Sequence, residues 1–373
     1  MKKKMIAAGH ICVDITPAIP GKKGAKINEL LIPGKLIEVG DATVSTGGAV
    51  ANTGLAMKIL GGNVSLMGKI GNDAFGGIVK NVLKKYGLED GLLISDTAAT
   101  SYTVVVAVPG IDRIFLHNPG ANNAFYADDI PEEELKDAAL FHFGYPPIMR
   151  SMYVNDGEEL VKMMKMVKEA GVATSMDLAA VDEASEAGQV DWHHVLERVM
   201  PYVDIFVPSV EELCYMLDKE RFQEWQERAA GRDVTEILDI EKDVKPLADE
   251  CMKMGVKVLL LKCGAPGMYF CSASKEVLSQ ITDRLELDVE AWAGKEYFEK
   301  SYVPEKVLSG TGAGDTSIAA FLTAMTDGYT PEDALHLAAG TGASCVAAYD
   351  ALSGLKSFEE LKKKMDAGWE KAE

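Results

Sequence analysis

Long apolar runs are missing from this 373-residue chain, and so are paired cysteines, clustered histidines and an excess of basic charge. Each absence removes a class of function. No apolar stretch approaches the roughly 18 residues that cross a bilayer, so a membrane-spanning role is not expected. The six cysteines, Cys12, Cys214, Cys251, Cys263, Cys271 and Cys345, lie in apolar contexts and form no C-x-x-C pair. That argues against a disulfide framework or a zinc site and suits buried thiols in a reducing cytoplasm. The six histidines are scattered too, and the adjacent His193 and His194 lack metal-ligand spacing. Basic residues number 38 against 57 acidic ones, a net charge of −19, which argues against a nucleic-acid backbone or an anionic membrane as partner. The short runs Lys2 to Lys4 and Lys362 to Lys364 read as solvated ends. The opening MKKKMIAAGHICVD has a leader-like start, but His10 and Asp14 interrupt its apolar stretch, and a first strand over Met5 to Val13 is expected instead.

What is present is ample apolar content, 47%, distributed in strand-like runs that alternate with helical patterns. This alternation predicts an α/β fold, a doubly wound and mainly parallel sheet with helices on both faces, whose ligands bind beyond the carboxyl ends of the strands. One domain is expected over residues 1–373. Two stretches depart from the rhythm: Ile15 to Thr46 is rich in Gly, Pro and short β-like pieces, and Ala98 to Asn118 reads as a hairpin turning at Pro109-Gly110-Ile111-Asp112. Together they are expected to form a small β-sheet lid, about 15–46 and 98–118. The charged segment Lys219 to Lys242 and the aromatic, charged segment Glu286 to Lys306 are expected as surface insertions. No fixed-period repeat or low-complexity tract occurs.

The stretch SGTGAGDTSIAAF, Ser309 to Phe321, carries the most chemistry. Gly310, Gly312 and Gly314 have no side chains to block an approaching anion, and a helix expected from Asp315 to Thr326 adds its positive end at the same spot. Asp315 stands at the mouth of that turn, where a carboxylate can take a proton from an attacking hydroxyl. Taken alone, the turn favours a plain strand-to-helix connector over an anion site. Two other phosphate-binding patterns are absent: a dinucleotide fingerprint needs glycine where Asp315 stands, and a Walker A loop needs Gly-Lys-Ser/Thr. Nor is there a protein-kinase set, because Asp73-Ala74-Phe75-Gly76 is not a DFG triplet.

Several motifs in order resemble the ribokinase-like (PfkB) family of carbohydrate and nucleoside kinases, through nearly the whole chain. They are Asp14 at the end of the first strand, STGGAVANTGLAMKILGG (Ser45 to Gly62), GKIGNDAFG (Gly68 to Gly76), NPGAN (Asn118 to Asn122), VPSVEEL (Val207 to Leu213), LKCGAPG (Leu261 to Gly267) and GTGAGDTSIAAF. The resemblance implies that Asp14, Gly47, Gly48 and Asn52 bind the phosphate acceptor, Gly47 and Gly48 by letting a hydroxylated ring reach backbone and Asn52 by donating and accepting at once. It implies that Asp315 is the catalytic base and that the amides of Gly312, Ala313 and Gly314 form an anion hole for the transferring phosphoryl group. Lys262, Gly264, Gly267 and Thr311 would border ATP, and Glu212 would help hold Mg²⁺, through water. Tyr102, Val104, Val106 and Phe115 would form an apolar lid face, through which the family commonly forms a homodimer. His117 and Tyr145 align with acceptor-contact regions, though no motif fixes either.

The chain departs from the family pattern at Ser209, in place of the Asn of P-N-x-x-E, at Ser309-Gly310-Thr311, in place of Asp-Thr-Thr, and at Ala339, in place of an Asn beside the adenine. These differences leave donor preference open, and with it any requirement for a monovalent cation. The expected activity is ATP-dependent phosphorylation of a hydroxyl on a small sugar. A nucleoside acceptor is the first alternative, and a non-catalytic sugar or nucleotide sensor with a kinase fold is the second.

Overall fold

The structure is a computed structural model that describes residues 2–20, 32–108 and 114–372. A nine-stranded sheet forms its centre, in the order β13-β12-β11-β10-β9-β8-β1-β4-β5. Its strands are β1 (Lys4–Gly9), β4 (Asn63–Gly71), β5 (Leu92–Ser95), β8 (Ala138–Gly144), β9 (Ala173–Met176), β10 (Ile205–Phe206), β11 (Val258–Lys262), β12 (Gly267–Ser272) and β13 (Glu296–Lys300). From β5 across to β11 every pairing is parallel; β12 and β13 are added antiparallel at one edge. A second sheet of four strands, β3 (Ala42–Gly47), β2 (Cys12–Pro17), β6 (Tyr102–Val106) and β7 (Ile114–Asn118), stands apart from the first. The turn expected at 109–112 and residues 21–31 of the expected lid lie outside the described residues.

The strand alternation sorts side chains into two apolar layers. Ile6 and Ala8 of β1, with Leu259 and Leu261 of β11, face one layer; Met5 and Ala7, with Val258 and Leu260, face the other. Helices α3 (Arg150–Glu169), α4 (Trp192–Val199), α5 (Val210–Leu217), α6 (Lys219–Ala229) and α7 (Lys245–Lys253) cover the first face. Helices α1 (Ala49–Ile59), α2 (Ala74–Lys84), α8 (Ala313–Thr326), α9 (Pro331–Cys345) and α10 (Phe358–Asp366) cover the second. In the small sheet, Thr103 and Val105 are buried while Tyr102, Val104 and Val106 are only half-buried, so the two faces of the strand differ.

Three expectations need correction. The strand expected from Met5 to Val13 is two strands in two sheets. Gly9 has φ 124°, and a Cβ there would sit 2.3 Å from the Gly144 carbonyl oxygen. Only glycine fits so close to β8, and the chain turns out of the main sheet at that point. The segment Glu286 to Lys306 is more than a surface insertion, since it supplies β13 to the main sheet and buries Trp292, whose Nε1 donates to the Tyr329 carbonyl at 3.2 Å. Likewise, Lys219 to Lys242 has its own packing. Trp225 of α6 is fully buried, and Arg228 makes two 2.9 Å bonds to Asp243 just beyond the segment.

Candidate functional site

The carboxyl ends of β1, β8, β9 and β11 deliver His10, Tyr145, Asp177 and Lys262 to one edge of the sheet, where the first turns of α1 and α8 meet. Asp315 lies at this junction. It is 5% exposed and accepts three kinds of hydrogen bond: Asn52 Nδ2 at 3.0 Å, Thr53 Oγ1 at 3.3 Å, and the Tyr145 hydroxyl at 2.7 and 2.8 Å from its two oxygens. Asn52 and Thr53 are neighbours near the N-terminus of α1, so the docking of α1 on α8 is itself what aims them at the carboxylate.

Gly312 caps α8 with φ 77°, and a Cβ there would fall 2.3 Å from the Ala351 Cβ. No side chain caps this helix, so the first-turn amides are left to other partners, apart from a long 3.4 Å bond from the Ala313 N–H to the Gly310 carbonyl. The helix begins at Ala313, two residues before the expected start, which puts Asp315 at its third position rather than its first. Thr311 is fastened by the Ser309 hydroxyl, which accepts from the Thr311 N–H at 3.1 Å.

Lys262 packs along the glycine turn, its Cδ 3.5 Å from where a Gly314 Cβ would be. Its ammonium donates to Asp177 Oδ1 at 2.8 Å, both groups nearly inaccessible to solvent. Burial pushes the Asp177 carboxyl up, against the opposing pull of Lys262 and with the charges of Glu212 and Asp315 adding to the rise.

The acceptor-side expectations converge as well. Asp14 lies in β2 opposite Ser45 of β3, and a Cβ on Gly47 would come 2.2 Å from its Oδ2. Gly48, at φ 84°, lies against His10, where a Cβ would be 2.5 Å from Nδ1. Burial raises the Asp14 pKa, and the nearby Asp315 charge raises it further while the Cys12 thiol, 3.4 Å away, opposes the rise. His10 is buried, with Nδ1 lacking any partner among the described residues. Its ring centroid is 5.1 Å from that of His117, which in turn bonds Thr103 Oγ1 at 3.0 Å. Burial lowers the pKa of both histidines, so this wall is polar but carries no cation.

Other expected residues have local structural reasons for being where they are. Glu212 Oε2 accepts the Ser209 N–H at 3.2 Å, which closes the N-terminus of α5, and both residues line a cavity of about 440 Å³ with Glu211, Tyr215 and Phe222. A Cβ on Gly264 (φ 64°) would strike Thr235, and one on Gly267 (φ 144°) would strike the Glu299 carbonyl. Sequence reasoning missed Thr53, His10 and Asp177. Asp177 alone carried a signal, a carboxylate directly following the buried strand Ala173–Met176; Thr53 and His10 had none.

Comparison with known proteins establishes the family and the fold. The model of the pfkB family carbohydrate kinases matches residues 9–357. Fructokinase-1 of Zea mays is 27% identical over 183 residues, 47% of this chain and 51% of that protein, so the chain spans about half its length. Probable fructokinase-5 of Arabidopsis thaliana is 25% identical over 383 aligned positions, covering 97% of each. Among solved structures, the ribokinase of Arabidopsis thaliana complexed with ribose and ATP superposes with a TM-score of 0.69 at 21% identity, over 97% of this chain and 98% of that one. The fructokinase of Xylella fastidiosa with bound ATP gives 0.71 at 18% identity, over 98% and 99%.

Proposed function

The chain belongs to the pfkB family of carbohydrate kinases, and from that premise we propose that it transfers the γ-phosphoryl group of ATP to a hydroxyl of a small, neutral sugar. The observation that carries this reading is Asp315, a buried carboxylate in the first turn of an uncapped helix, behind a glycine in the left-handed region. In the proposed reaction the acceptor hydroxyl gives its proton to Asp315, its oxygen attacks the γ-phosphorus, and the bond to the β-phosphate oxygen breaks, its electron pair leaving with ADP. The amides of Gly312, Ala313 and Gly314 would hold the equatorial oxygens as charge shifts during transfer.

Asp14 and Asn52 would receive the sugar hydroxyls, with Gly47 and Gly48 giving them room. The histidines, held neutral, match an acceptor without carboxylate or phosphate. Lys262 would border the ATP phosphates, together with Thr311 and the turn at Gly264 and Gly267. Among the described residues no three His, Cys, Asp or Glu side chains are grouped to hold a metal ion by themselves. This fits Mg²⁺ bound by Glu212 with the remaining ligands from water and nucleotide, where it would neutralise phosphate charge. The small sheet would act as a lid over the acceptor. Its strands expose Val44, Ile114 and Leu116 at 48, 40 and 57%, an apolar surface suited to pairing with a second lid in a homodimer.

A coupled ADP-release assay over a panel of neutral sugars, sugar acids, sugar phosphates and nucleosides tests the reading. Turnover with a neutral sugar is expected. Turnover confined to nucleosides would replace the acceptor assignment, and ligand binding without turnover would mark a sensor.

A further inference from the structure

Tyr145 and Thr53 are the members of the Asp315 cluster that the proposed reaction leaves without a part, and of the two Tyr145 alone bonds both carboxylate oxygens. Its hydroxyl lies 2.7 and 2.8 Å from the two Asp315 oxygens, within the range a general base needs for the hydroxyl it deprotonates. Asn52 and Thr53 approach one oxygen each, whereas the Tyr145 hydroxyl bridges both. The backbone is strained to put it there. Tyr145 has φ 71° and ψ 40°, a left-handed conformation unusual for a bulky side chain, and it directly precedes Pro146, which restricts it further. Strain of this kind persists where surrounding structure enforces it, often at functional sites. Here β8 fixes the residue before it, since Gly144 pairs with Gly9 of β1.

We propose that Tyr145 is a positioning residue that places its hydroxyl on Asp315 until an acceptor hydroxyl displaces it, which keeps water from being activated there. The inference rests on Asp315 being the base. The suppressed side reaction is defined: water gives a proton to Asp315 and attacks the γ-phosphorus, the bond to the β-phosphate oxygen breaks, and ADP, phosphate and a proton result. Tyr145 is a suitable stand-in because it keeps its own proton. Burial and the charges of Asp315 and Asp177 push its pKa far up, so it fills the acceptor's place without itself becoming a nucleophile.

The test is Tyr145→Phe in the full chain with ATP and Mg²⁺, reading ADP release and sugar phosphorylation separately. Sugar-free ATP hydrolysis is expected to rise about tenfold, while the KM for the sugar falls or holds. ATP hydrolysis unchanged, or lost in proportion to sugar phosphorylation, would overturn the proposal. The wild-type enzyme gives a second reading free of folding effects. A deoxy analogue of the accepted sugar, lacking the reacting hydroxyl, is expected to leave Tyr145 on Asp315 and not to stimulate ATP hydrolysis, and stimulation would count against the proposal. The two layers separate in the Tyr145→Phe/Asp315→Asn double variant. Raised hydrolysis that survives there overturns the base assignment, whereas unchanged hydrolysis in Tyr145→Phe beside an inactive Asp315→Asn overturns the role of Tyr145 alone.

Discussion

Replacing Gly312 by alanine should damage stability and catalysis together, by amounts that follow from its place in the turn. The residue holds φ 77°, and for an L-amino acid the left-handed region costs about 1 to 2 kcal/mol. The new Cβ would also lie 2.3 Å from the Ala351 Cβ and 3.0 Å from its Cα, so the loop carrying Ala351 must move, an overpacking cost of about 1 to 3 kcal/mol. Together Gly312→Ala is expected to lower unfolding free energy by about 2 to 5 kcal/mol, measured by urea denaturation. If the turn relieves the clash by shifting, the first-turn amides of α8 shift with it, and a displacement near 1 Å costs about 100-fold in rate. Under conditions where the variant is folded, kcat should therefore fall much more than the KM for the sugar rises. A variant within about 0.5 kcal/mol of wild type and with unchanged kcat would refute the reasoning from this turn.

The remaining expectations concern pH, core and assembly. Burial holds His142 at a pKa of about 3, with Nδ1 3.0 Å from Ser175 Oγ. Below the unfolded value of about 6.5 the unfolded chain takes a proton that the folded chain refuses, so this contribution is complete above about pH 6.5 and declines toward pH 3. Its slope is at most about 1.4 kcal/mol per pH unit, and His142→Gln should flatten the urea-derived stability profile over that window. Trp292→Ala removes a side chain that is 1% exposed and packs edge-on against Phe270 and Phe321; it should cost about 3 to 5 kcal/mol, whereas a surface insertion would tolerate it. Leu116→Asp, on a strand exposed along its length, should convert the proposed homodimer to monomer, as read by light scattering.

Residues that announce backbone geometry were legible in the sequence. Gly48 and Gly312 take positive φ just where a glycine pair and a glycine-rich turn suggest it, and the continuous apolar runs of Lys4–Gly9 and Val258–Lys262 mark strands buried on both faces. β13 was hidden because EYFEK has charged ends and a half-buried middle, the composition of an edge strand that resembles a surface segment. The break at Gly9 was hidden because apolar residues continue on both sides of it; the reason for the break is Gly144, far along the chain. The same limit applies at the site. Tyr145 and Asp315 are 170 positions apart and Lys262 and Asp177 are 85 apart, separations that carry no periodic signal and are closed only by the sheet.

The role of Asp315 is tested most directly by acceptor-dependent phosphoryl transfer in Asp315→Asn. Asparagine retains the shape of the side chain but cannot take a proton. With a sugar that the wild-type enzyme phosphorylates, kcat/KM should fall by about 100-fold to 10,000-fold while thermal stabilisation by that sugar persists. Phosphorylation at the wild-type rate by Asp315→Asn would contradict the assignment of the base.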